Sequence, residues 1–66
     1  MRVDPVPSDP IAAAQEAEAQ AARLETLADQ AQGVGHRRRA IHYGERARLL
    51  REAAAVYRFQ ATLRDD

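Results

Sequence analysis

Residues 31–36 read Ala31-Gln32-Gly33-Val34-Gly35-His36 and hold two of the three glycines in the chain. Glycine adopts positive φ without steric cost, so a helix that meets such a pair can stop there and the chain can reverse. On the N-terminal side, Ile11 to Gln32 contains no glycine and no proline, and Thr26 is its only β-branched residue after Ile11. On the C-terminal side, His36 to Leu63 is dominated by Ala, Leu and Arg and is interrupted only by Gly44. The reading is an all-α fold: an antiparallel αα-hairpin over residues 10–64. Helix 1 spans about 10–32, the turn 33–35 and helix 2 about 36–63. Asp9 is placed to cap helix 1, and Pro10 fits its first position, where no backbone donor is lost. Gly33 is expected as the left-handed C-cap, with Val34 folding back on Leu27 or Ala31. Gly44 is a potential kink, because glycine inside a helix costs about 1 kcal/mol relative to alanine. Residues 1–10 hold all three prolines, Pro5, Pro7 and Pro10, and residues 1–9 read as an extended arm.

The helices carry two kinds of apolar spacing. Helix 1 gathers Ala14, Ala17, Ala21, Leu24, Ala28 and Ala31 on one face. Helix 2 repeats Ala40, Ala47, Ala54 and Ala61 at seven-residue intervals, with Tyr43, Leu50 and Tyr57 three residues after the first three. Folding about the glycine turn pairs positions whose numbers sum to about 71. Leu24 then meets Ala47, Ala21 meets Leu50, Ala28 meets Tyr43 and Ala14 meets Tyr57. Large opposes small at each level, as in a closely packed coiled coil.

Helix 2 has more apolar surface than this seam uses. Leu49, Ala53, Val56 and Leu63 form a second stripe, with Phe59 and Ile41 further round. One facing helix covers only part of that surface. The expected partner interface is therefore Leu49, Ala53, Val56, Phe59 and Leu63. Its occupant is either a second copy, giving a dimer built as a four-helix bundle, or a larger protein. On this reading the chain is a small, non-enzymatic module for protein–protein interaction or oligomerisation.

Charge supplies the alternative. The 66 residues carry ten Arg and no Lys against ten Asp and Glu, for a net charge of zero. The signs are segregated: residues 10–32 carry one Arg against four acids, and residues 33–58 carry seven Arg against Glu45 and Glu52. Such halves can pair with each other or face a charged partner. Glu18, Glu25 and Asp29 form an acidic stripe that suits internal pairing. Arg37, Arg48 and Arg51 share a face of helix 2, with Arg38 and Arg58 nearby and Gly44 among them. This is a candidate anion-binding surface for nucleic acid or another polyanion.

Composition removes other chemistry. There is no Cys, hence no disulfide, thiolate metal site or thiol nucleophile. His36 and His42 are six residues apart and do not share a helix face, so no metal site is expected. Ser8 is in the arm, Thr26 and Thr62 lie on polar helix faces, and no glycine-rich loop with a lysine precedes a helix. No enzyme activity and no cofactor are expected. No apolar run reaches the roughly 18–20 residues of a membrane span. The first residues lack the apolar core of a secretory signal, so a cytoplasmic location is expected.

The spacing of Leu27, Ala28, Ala31, Ala40, Gly44 and Ala47 resembles one tetratricopeptide-type helical hairpin over about a third of the chain. Ala31 and Gly44 stand where that family usually holds large residues, and helix 2 is longer. The resemblance implies the hairpin fold alone. The layout also looks like that of small plasmid-regulatory hairpins that dimerise and bind RNA, an analogy of architecture that carries no residue across.

Overall fold

A computed structural model describes residues 9–64 as two helices, α1 (Pro10–Gly33) and α2 (Arg37–Arg64), packed against each other. The arm expected over residues 1–9 lies outside the described residues apart from Asp9. Asp9 caps α1 as its position suggests: its carboxylate accepts the Ala12 N–H at 3.1 Å, and its carbonyl accepts the Ala13 N–H at 3.0 Å. Pro10 follows at the first helical position and is buried.

The turn differs from expectation in which glycine does the work. Gly33 remains helical, and the left-handed residue is Gly35, with φ of 83°. The His36 N–H donates to the Ala31 carbonyl at 2.7 Å and the Gly35 N–H to Gln32 at 3.1 Å. These are the two hydrogen bonds of a Schellman motif, which requires the positive φ at Gly35. Using the later glycine lets α1 keep Gly33 in helical geometry. His36 then begins α2 at once, its carbonyl accepting the Ala40 N–H at 3.0 Å. Val34 does not fold back on Leu27 or Ala31; it is 69 % exposed, at the outside of the reversal. α2 runs without interruption through Gly44. A Cβ at Gly44 would meet nothing within 4 Å.

Between the helices, the buried apolar side chains are Ala14, Ala17, Ala21, Ala31, Ala47 and Ala54, and no larger side chain is fully buried. Ala14, Ala17 and Ala54 form the central cluster, with Leu50 and Tyr57 packed against it. Ala17 with Ala54, and Ala14 with Tyr57, have numbers summing to 71, the register anticipated from the glycine turn. Alanine on both sides allows axes near the lower end of the usual 8–10 Å spacing. It also limits stabilisation. A buried methyl contributes about 0.8 kcal/mol, so six alanines supply roughly 5 kcal/mol.

The smallest dimension of the molecule is 13 Å, against 48 and 27 Å for the others. One helix with its side chains is about 10–12 Å across, so the hairpin is a single layer. Most domains bury a core between two layers. No helix among the described residues is long and apolar enough to cross a membrane.

The three glycines make a direct test of the turn geometry. Gly44→Ala should raise stability by about 1 kcal/mol, since the site is helical and open. Gly35→Ala should lower it by about 1–2 kcal/mol, the cost of a left-handed alanine. Gly33→Ala should not destabilise. Urea titration monitored by circular dichroism reads all three. A loss at Gly33 larger than that at Gly35 would show that the reversal uses the earlier glycine.

Candidate partner-binding face

At about 100° per residue, the seam side of α2 is marked by Ala47, Ala54 and Leu50. On the opposite side stand Leu49, Val56 and Leu63 at seven-residue spacing, with Phe59 and Ile41 beside them. Their exposures are 60 % for Leu49, 52 % for Val56, 58 % for Leu63, 63 % for Phe59 and 52 % for Ile41. Four of the five residues expected at a partner interface are therefore turned outward. Ala53, the fifth, is half-buried on the border between seam and stripe. Ile41 extends the stripe toward the turn, and its position three to four residues from Arg38 and Glu45 interleaves it with charge.

The arginines divide into two groups. Arg51 donates to Glu25 through Nε and Nη2, both at 2.8 Å. Arg58 donates to Glu18 in the same two-pronged way, at 3.0 and 2.8 Å. Each pair joins α1 to α2 along one edge of the seam, and the planar guanidinium matches the carboxylate in both. These partners have numbers summing to 76, five more than the alanine register. Side chains lean toward the N-terminus of their own helix. In antiparallel helices both leans act in the same sense along the pair. Five residues correspond to about 7.5 Å, or nearly 4 Å of lean for each side chain. The next position in this ladder, seven residues on, would pair Gln32 with Gly44, and no ion pair forms there.

Arg48 lies 3.8 Å from Glu52 on its own helix, a loose and exposed contact. Arg37 and Arg38 make no ion pair among the described residues. They stand in the first turn of α2, where Arg37 edges a shallow cleft with Ala28, Gln32, Gly35, Ala40 and Ile41. Of the five arginines expected to bind an anion (37, 38, 48, 51 and 58), two are thus engaged in cross-helix pairs. Of the other three, Arg37 and Arg38 line one open cleft with Gly35, His36 and Arg39, and Arg48 does not line it. A groove on the layer's other surface, away from the ion pairs, is lined by Leu24, Leu27 and Leu50 with Gln20, Arg23 and Arg46.

Two features escaped the sequence reading. The side-chain oxygen of Gln60 is buried without a hydrogen-bond partner. Glutamine on an apolar stripe gives no sequence signal that its amide will be enclosed. The offset of the ion pairs from the alanine register was also missed, although side-chain lean could have supplied it. Thr26 and Thr62 bond back to the carbonyls four residues earlier, Ala22 and Arg58, at 3.2 and 3.0 Å, and face solvent. No group of three potential metal ligands comes together among the described residues. The chain matches no protein-family model, no curated protein and no solved structure.

The ion pairs set a pH dependence. The Arg58 hydrogen bonds hold the Glu18 carboxyl below its ordinary value of 4.5, and Arg51 does the same for Glu25. Partial desolvation opposes the effect in both without reversing it. A carboxylate with a depressed folded-state pKa contributes stability that is in place above the unfolded value and is lost as pH falls through the folded one. Stability from these pairs should therefore hold from neutral pH down to 4.5 and fall below it. In a pH titration of the unfolding midpoint, the double variant Glu18→Gln, Glu25→Gln should lose much of that acid-dependent decline. An unchanged decline would mean that the two bridges contribute nothing in solution.

Proposed function

We propose that this chain is a small, non-enzymatic interaction module that works by presenting the outward stripe of α2 to another protein molecule. The observation that carries the reading is the mismatch between what is buried and what is not. The seam buries alanines, while Ile41, Leu49, Val56, Phe59 and Leu63 are each more than half exposed. A large apolar side chain gains about 1.5–3 kcal/mol on full burial, so five half-exposed ones leave roughly 5 kcal/mol unrealised. A 66-residue domain typically has a total stability of about 3–10 kcal/mol. An apolar stripe of that relative weight, edged by Arg48 and with Arg38, Glu45 and Glu52 set in register among its large side chains, fits a docking surface with polar contacts inside it better than an incidental one.

The assembly in view covers the face of α2 that the hairpin leaves open. Helices from a second copy or from a larger protein pack on that face, and two copies would bring four helices together. A polyanion-binding role for the arginines has less support, because Arg51 and Arg58 already satisfy carboxylates.

Sedimentation across a wide concentration range tests the proposal. The expected result is a mass that rises above 7.3 kDa in the micromolar range, with an unfolding midpoint that climbs with concentration. Leu49→Glu with Val56→Glu should abolish both effects. A chain that stays at 7.3 kDa, melts cooperatively at every concentration and ignores the double substitution would refute the second-copy form of the reading.

A further inference from the structure

We infer that the outward stripe of α2 is covered by the back of α1 from a second copy of this chain. The inference rests on the stripe being a contact face and adds which surface meets it.

Position comes first. α1 already occupies one side of α2, and Leu49, Val56 and Leu63 lie across the helix from that seam. A neighbour placed on them continues a layer one helix thick.

Size comes second. The intramolecular seam places Leu50 and Tyr57 against Ala14 and Ala17. The stripe is again large, so its complement is a helix face of small side chains. The back of α1 has that character. Ala12, Ala19 and Thr26 repeat at seven-residue intervals, Ala22 lies beside them, and all four are exposed. α1 is thus small-faced on both sides, toward its own α2 and away from it. Pairing α2 with α2 of another copy would instead set Leu, Val and Phe against one another and hold the axes further apart.

Charge comes third. α1 carries one Arg and four acids and α2 eight Arg and two Glu, but Glu18 and Glu25 already hold Arg58 and Arg51. Outside those pairs α1 keeps Glu16 and Asp29 against Arg23, a net −1, and α2 keeps six Arg against two Glu, a net +4. Packed helices lie about 8–10 Å apart, close to the screening length of about 8 Å at physiological salt, so this charge is felt across the contact. α2 beside a second α2 sets +4 next to +4, whereas α2 beside a second α1 sets +4 next to −1.

Area is sufficient. Four aliphatic side chains and one phenyl ring, each a little over half exposed, offer several hundred Å² of apolar surface. A standard interface removes about 800 Å² per partner, of which just over half is apolar. The contact is heterologous, because the surface offered differs from the surface received. The same contact can close a ring or add copies in succession.

Two variants, each disabling one of the surfaces, provide the test. Leu49→Glu with Val56→Glu removes the stripe and leaves the back of α1 intact. Ala19→Arg blocks the back of α1 with bulk and a like charge while leaving the stripe intact; Ala19 is exposed, so the hairpin is unharmed. Each variant alone should sediment at 7.3 kDa, and an equimolar mixture should form a one-to-one species of twice that mass. Circular dichroism accompanies both measurements; if either variant alone loses helix, the mixture should regain it. Ala19→Ser should assemble like the natural chain. The inference is overturned if Ala19→Arg assembles undiminished, which would point to α2 against α2, or if the mixture stays at 7.3 kDa. A natural chain that never assembles would overturn the inference together with self-association itself.

Discussion

Everything in this hairpin follows from a seam whose buried apolar side chains are all alanines. Ala14, Ala17, Ala21, Ala47 and Ala54 let the two helices come close, and closeness is what allows Leu50 and Tyr57 to reach across. The same smallness caps what the seam can contribute. Dispersion and burial scale with the atoms enclosed, and a methyl group encloses few. The large apolar side chains that could have made a core are found on the far side of α2 instead.

Around that seam the chain uses polar devices at defined places. Asp9 satisfies the donors that open α1. The Gly35 reversal satisfies the carbonyls that close it. Along the flank, the two arginine–glutamate bridges tie the helices at Glu18 and Glu25. They are solvent-accessible and therefore screened, so their value lies more in fixing register and orientation than in strength. One edge of the layer is consequently charged and internally matched. The outward side of α2 has only the loose Arg48–Glu52 contact set among its exposed apolar side chains.

Much of this was readable from residue order alone. Helix extents, the Asp9 cap, the seven-residue alanine ladder and its register about the turn depend on local propensity and periodicity, which sequence expresses directly. Val34 and the identity of the left-handed glycine were not readable. Gly33 and Gly35 are equally permissive, and only the hydrogen bonds from Gly35 and His36 choose between them. The acidic stripe was visible, but Asp29 joins no bridge while Glu18 and Glu25 do. Asp29 lies off the seven-residue line those two define and has a shorter side chain. At the candidate face, the outward placement of Leu49, Val56, Phe59 and Leu63 followed from angle. The half-burial of Ala53 and the enclosed oxygen of Gln60 depend on packing that periodicity does not encode.

The alanine ladder has a consequence for how such a chain can change over generations. Outer positions away from the ion pairs and the proposed contact faces are free to drift in size and polarity, because nothing presses on them. At Ala14, Ala21, Ala47 and Ala54, even one added carbon would wedge the helices apart. What descendants of this sequence must inherit is a rhythm of smallness rather than a roster of particular residues. Two of them could look unrelated letter by letter and still fold alike.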